Sequence, residues 1–160
     1  MKSALFILWM TLVSVTVSAQ DFASRFLENH KPDGNLTCVT ISPKMMEKVM
    51  DLDVDDEGKM MDMISKLKSM QMLTTQNNGH KYYKEALKVL DKNSDRFEPY
   101  LSFEDKSENF QIMVRKKRSS IIELVMLMCE NDCFTIINFT GNMSQDFIAR
   151  LAKSIEPKHS

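Results

Sequence analysis

The run Ile121 to Met128, IIELVMLM, sets seven apolar residues around a single carboxylate. Successive side chains of a strand point to opposite faces, so a strand that is apolar at both parities has no solvent side. Such a strand belongs in the middle of a sheet. Phe134 to Phe139 pairs back onto it, because Glu130-Asn131-Asp132 reads as a tight turn. Upstream, Phe110, Ile112 and Val114 alternate, as do Leu101 and Phe103, while Pro99 makes that first strand late-starting or an edge. Four strands joined by short turns form an antiparallel meander. Glu123 sets its sense: Ile122, Leu124, Met126 and Met128 form the charge-free main core face, which leaves Glu123 on the other.

The preceding half mixes periods. Asp21 caps a short helix carrying Phe22, Phe26 and Leu27, which stops at Pro32-Asp33-Gly34. Asn35 to Ser42 reads as a strand, with Val39 and Ile41 on one face and Leu36 and Cys38 on the other. Ser42-Pro43 is a helix-start pair, opening a helix with Met45, Met46, Val49 and Met50. A second helix carries Met60, Ile64 and Leu67, Met70 to Thr75 is a strand, and a helix from Lys81 to Lys92 presents Tyr83, Leu87 and Leu90. Asn142 or Ser144 caps a last helix with Phe147, Ile148, Leu151 and Ile155 on one face. The expected fold is α+β, a largely antiparallel sheet of about six strands with helices mainly on one face. The early strand–helix–strand unit could add a parallel pairing.

The first residues, MKSALFILWMTLVSVTVSAQ, carry one basic residue, an apolar run and then Val17-Ser18-Ala19. This is the pattern of an export leader cut after Ala19, leaving Gln20 to Ser160 as one domain of about 141 residues. Loss of Lys2 takes the net charge from −1 to −2, a balance that gives no footprint for nucleic acid. No later apolar run reaches the roughly 18 residues of a membrane-spanning helix.

Three segments, NLTCVTISPKMMEKVM, SKLKSMQMLTTQ and SSIIELVMLMCENDCFTIINFTGNMSQDFIARLAKSI, together resemble a group of exported Bacteroidota proteins, domain-of-unknown-function family 4252. The shared features are the V-x-I-S-x-x-M start, the L-T-T strand, the E-L-V strand and the closing helix. The resemblance implies export and a single-domain architecture, and it carries no active-site residue.

Chemistry-bearing residues are sparse. Cys129 and Cys133 face each other across the expected hairpin neck, within disulfide reach, if the turn spans the three residues between them; three buried free thiols are the alternative. Met45, Met46, Met50, Met60, Met61, Met63, Met70 and Met72 could offer thioethers to Cu(I). Their faces also hold Val49, Ile64 and Leu67, so core packing is the preferred reading. Asp51, Asp53, Asp55 and Asp62 partly match a calcium loop, but Asp56 stands where the sharp turn needs glycine. Arg115, Lys116, Lys117 and Arg118 form a basic cluster at a meander turn, a candidate patch for anionic lipid or an acidic partner, or simply a solvated tip. His30, His80 and His159 show no metal-ligand spacing. No catalytic residue, cofactor or metal ligand is assigned. The leading expectation is a non-enzymatic periplasmic or secreted binding module whose partner is another envelope or secreted protein. A methionine-based copper protein and a hydrolase with dispersed residues are the alternatives.

Overall fold

The computed structural model describes residues 21–49 and 57–155. The expected leader, Met50, the acidic connector Asp51 to Asp56 and His159 lie outside the described residues. Helix α1 (Phe22–His30) leads through a 3-10 turn (Lys31–Asp33) into β1 (Thr37–Ile41). Helices α2 (Pro43–Val49) and α3 (Glu57–Ser65) precede β2 (Leu67–Thr75), and α4 (Gly79–Lys92) follows it. The meander is β3 (Phe97–Glu104), β4 (Glu108–Lys117), β5 (Ser120–Glu130) and β6 (Cys133–Met143), closed by α5 (Gln145–Ile155).

One six-stranded sheet results, in the order β1-β2-β6-β5-β4-β3, and every neighbouring pair is antiparallel. The α+β fold and the C-terminal meander are as expected. The possible parallel pairing of the early unit does not occur, since β1 and β2 run antiparallel. Two helices separate them, as expected, and a helix pair that doubles back returns the next strand in the opposite direction. The run of antiparallel neighbours also leaves β2 and β3 pointing the same way at distant places in the sheet. Helix α4 makes that connection, passing over β6 and β5.

The helices occupy both faces of the sheet, which corrects the expectation of mainly one. Leu124 and Met126 lie in a core with Met46 of α2, Met63 and Ile64 of α3, and Phe147, Ile148 and Leu151 of α5. Val125, Leu127 and Cys129, of the opposite parity, lie in a second core with Phe22 and Phe26 of α1 and Tyr82, Tyr83, Ala86 and Leu90 of α4. A central strand apolar on both faces needs cover on both, at about 25 cal/mol for each Å² of apolar surface removed from water. A register shift between Ile121 and Glu123 brings Ile121 into the first core, against simple alternation.

Ser144, rather than Asn142, caps α5: its Oγ accepts from the Phe147 N–H at 3.1 Å. Lys59 of α3 reaches Asp146 in the first turn of α5 at 3.2 Å. That contact, with Arg150 beside it, holds the Asp146 carboxyl below the usual carboxylate range. Gly141 shows what close packing demands of β6. At φ +140° it lies against β2, and a Cβ there would come within 2.7 Å of the Leu67 Cα.

Candidate functional site

The two edges of the sheet differ in how they are protected. β3 carries Pro99, a register shift between Pro99 and Leu101, and the charged residues Glu98 and Glu104, with Glu98 bound to Lys116 at 2.6 Å. Proline, irregular pairing and charge all discourage addition of a further strand. β1 reads TCVTI, with no charge, no proline and no register shift against β2. Its first four residues are exposed although they alternate between the two faces, so neither layer of helices covers it. Val39 is 40% exposed, and Met45, on the helix that follows, is 55% exposed. The backbone groups on the outer side of β1 thus stand next to uncharged, β-branched side chains. This is the geometry that accepts another strand.

Behind this open edge the fold is anchored by a buried carboxylate. Glu123 is fully buried and its two oxygens have four donors. Oε1 accepts from the Phe22 N–H at 2.8 Å and from Asn138 Nδ2 at 3.2 Å. Oε2 accepts from Arg115 Nε at 2.8 Å and Nη2 at 2.7 Å. Asn138 Oδ1 accepts from the Ala23 N–H at 2.8 Å, and its amide also donates to the Leu124 carbonyl. Asp21 supplies the next two acceptors, its Oδ1 for Ser24 N–H and its carbonyl for Arg25 N–H. The Phe22, Ala23 and Ser24 N–H groups, which a helix start leaves unpaired, are therefore each satisfied by a side chain, and the Arg25 bond begins the helical ladder. A carboxylate near the positive end of a helix is further stabilised by the helix dipole. Asn138-Phe139-Thr140 fits the N-x-[ST] glycosylation pattern, but the Asn138 amide is enclosed and bonded within the fold.

The expected basic patch is divided by this arrangement. Arg115 turns inward to Glu123 and is only 19% exposed. Lys116 pairs with Glu98, and Lys117 and Arg118 remain exposed at the tip. Arg115 to Lys117 end β4 and Arg118 lies in the turn beyond it at φ 59°, so the four do not present one surface.

All three cysteines are free. The β5–β6 loop has only the residues Asn131 and Asp132, at φ 48° and 62°, a two-residue turn with both centres left-handed. Glu130 therefore pairs with Cys133, and Cys129 with Phe134. The bridge expected from a three-residue turn is not formed, since the register shift of one sends Cys133 to the face opposite Cys129. Cys129 packs in the second core with Sγ 3.5 Å from His80 Nδ1. Burial, then Asp132 and Cys133, push its thiol pKa up, so it is kept as the unreactive thiol. Burial, with Glu104 and Cys129 nearby, likewise raises the Tyr83 phenol to about 12. In the reduced native protein, a thiol reagent is expected to label Cys38 and Cys133 within minutes and Cys129 only on unfolding. Rapid native labelling of all three, read by peptide mass, contradicts this packing.

Met46, Met63 and Met70 are buried in the first core, while Met45 and Met61 are exposed. Among the described residues no group of three or more His, Cys, Asp or Glu is placed to hold a metal ion. A cleft of 280 Å³ opens where Met63 and Lys66 meet Ser119, Ser120, Ser144 and Gln145. Among the described residues its walls contain hydroxyls and one lysine, itself bound to Asp62 at 3.1 Å, and no carboxylate, imidazole or thiol.

A family model described as Domain of unknown function (DUF4252) matches residues 30–151. The chain belongs to the DUF4252 family. No curated protein and no solved structure matches it. The DUF4252 match spans the open β1 edge and the anchoring residues Arg115, Glu123 and Asn138. It begins at the last residue of α1, so the donors Phe22 and Ala23 precede the matched segment. No helix among the described residues is long and apolar enough to cross a membrane.

Two features organise this site, and only one of them is marked in the sequence. Glu123 had a visible signal, a lone carboxylate in an apolar run with Arg115 one strand back. The exposure of β1 had none, because TCVTI looks the same whether helices cover it or not.

Proposed function

We propose that this DUF4252 chain is an exported, non-enzymatic protein-binding module that takes its partner by strand addition at β1. The open edge carries the reading: β1 is an uncharged outer strand, exposed on both faces, in a sheet whose other edge is guarded. Main-chain hydrogen bonds supply affinity in such complexes, and alternate side chains supply selectivity. The leader-like first nineteen residues support export, and with it a partner in the periplasm or outside the cell.

A charge placed on β1 tests the proposal. Val39→Lys puts an ammonium on a side chain already 40% exposed, so the fold is expected to survive within about 0.5 kcal/mol. An envelope-fraction pull-down with the tagged wild-type chain is expected to retain a strand-adding partner, a further copy of the chain included, that Val39→Lys loses. A bound set identical for the two chains, with circular dichroism unchanged, would overturn the reading.

A further inference from the structure

We propose that the strand added at β1 belongs to a second copy of this chain, the two β1 strands pairing antiparallel about a two-fold axis. This rests on β1 being the binding edge and names its occupant. The pairing would join two six-stranded sheets into one continuous sheet.

Charge is the first argument. TCVTI carries no charge, so the strand has no electrostatic means of choosing a partner of different composition. Nothing in that strand repels an identical strand either, since like charges directly opposite one another are the usual obstacle. Closure is the second. A two-fold pairing uses the same patch on both copies and stops there. The assembly would end in two β3 strands, each protected by Pro99, Glu98 and Glu104, so it could not grow into a fibre. The single unguarded edge is consumed, and only guarded ones remain.

Register supplies the third argument. When an antiparallel strand pairs with its own copy, just one residue lies opposite itself. Pairing the whole of Thr37–Ile41 makes that residue Val39, with Thr37 opposite Ile41 and Cys38 opposite Thr40 of the second copy. Val39 is the exposed large apolar side chain of the strand, and a Val–Val pair at the axis removes it from water in both copies. Helix α2, with exposed Met45, lies on the same side of the sheet as Val39. An edge this short buries less than about 1,200 Å² in total, the size class of weak and transient associations. The dimer should therefore depend on concentration.

Position-specific disulfides read out the register. In a Cys38→Ser, Cys133→Ser background, Val39→Cys brings its two Cα atoms to about 4.5–5.5 Å, within disulfide range. Thr40→Cys leaves them about 8 Å apart and Thr37→Cys about 14 Å, at roughly 3.4 Å per residue along the strand. Oxidation at high concentration is expected to cross-link Val39→Cys roughly tenfold faster than the other two, consistent with the limit of about 7 Å between bridged Cα atoms. Sedimentation of the unmodified chain supplies a second readout, a monomer–dimer equilibrium that Val39→Lys abolishes. Equal cross-linking at all three positions overturns the proposal, as does a monomer at every concentration. In the latter case, a Val39→Lys-sensitive partner in the envelope pull-down leaves the strand-addition reading standing with a different occupant. Loss of both results removes the edge reading itself.

Discussion

Glu123→Ala is expected to cost about 3–5 kcal/mol of folding stability, the range found when one member of a buried ion pair is removed. A domain of this size has about 5–15 kcal/mol in all, so the variant loses a large share of it. The loss has named components. Arg115, 19% exposed, keeps a charge with no counter-ion. The Phe22 N–H and the Asn138 amide lose the oxygen they share, at about 1–3 kcal/mol for each buried group left unsatisfied. Urea denaturation gives the total, and hydrogen exchange at residues 22–24 locates it, because the first turn of α1 should lose protection before the meander does. Glu123→Gln keeps an acceptor for Phe22 and should fall between Ala and wild type. The double variant Arg115→Met, Glu123→Leu isolates the helix contribution. Apolar replacement of a buried pair is often neutral, but here it still strands the α1 donors. It should recover only part of the loss. A Glu123→Ala chain within about 0.5 kcal/mol of wild type, the range of ordinary surface substitutions, would show that the carboxylate does not anchor α1.

Gly79→Ala should also destabilise strongly, and here even the sign is informative. In an exposed helix interior Ala is better than Gly by about 0.8–1 kcal/mol. At position 79 a Cβ would meet the Asp132 carbonyl oxygen at 2.3 Å and its carbon at 2.5 Å, both backbone atoms that cannot rotate away. The approach exists because the β5–β6 turn caps α4 from outside. The Gly79 N–H donates to the Asp132 carbonyl at 2.9 Å, and the His80 N–H to its Oδ1 at 3.2 Å. Asn78, at the position where a capping side chain would stand, makes no such bond. Alanine would push α4 off the hairpin, disturbing the packing of Tyr82 and Tyr83 on Phe134. Overpacking of this kind costs about 1–3 kcal/mol, and the lost cap adds about 1 kcal/mol. Thermal unfolding should show a large fall in Tm for Gly79→Ala and a smaller one for Asp132→Ala. A rise in Tm for Gly79→Ala would mean that α4 and the turn are not in contact.

These features also mark where the sequence could and could not be read. Strand β5 was legible because its apolar pattern has only one physical solution. The caps Asp21 and Ser144, and the helix start at Ser42-Pro43, were legible because each is a local hydrogen-bonding problem solved within four residues. The β5–β6 register was not. It depends on whether the turn holds two residues or three, and a difference of one moves Cys133 across the sheet. Nor was the placement of helices on both faces. The apolar faces of β5 and β6 require it, but nothing local says which helix covers which face. Glu123 looked like a marker of the less buried face because a lone carboxylate normally is one. Its burial depends on donors contributed by Phe22, Asn138 and Arg115, which only the assembled fold brings together.

The route of α4 over the sheet has a kinetic consequence. The three hairpins of the meander close between neighbouring segments, on the microsecond scale of isolated hairpins. Strand β2 must instead find β6 across a long stretch of chain, with Met70 settling opposite Phe139. Contacts so distant in sequence are slow to form, because the entropy of closing the loop is spent before they reward it. Until β2 docks, β6 is itself an outer strand without charge or proline, with Phe134 and Ile136 on one face and Ile137 and Phe139 on the other. A chain in which β2 has not docked should thus be stickier than the finished protein. Aggregation during refolding should be governed by how quickly β2 arrives.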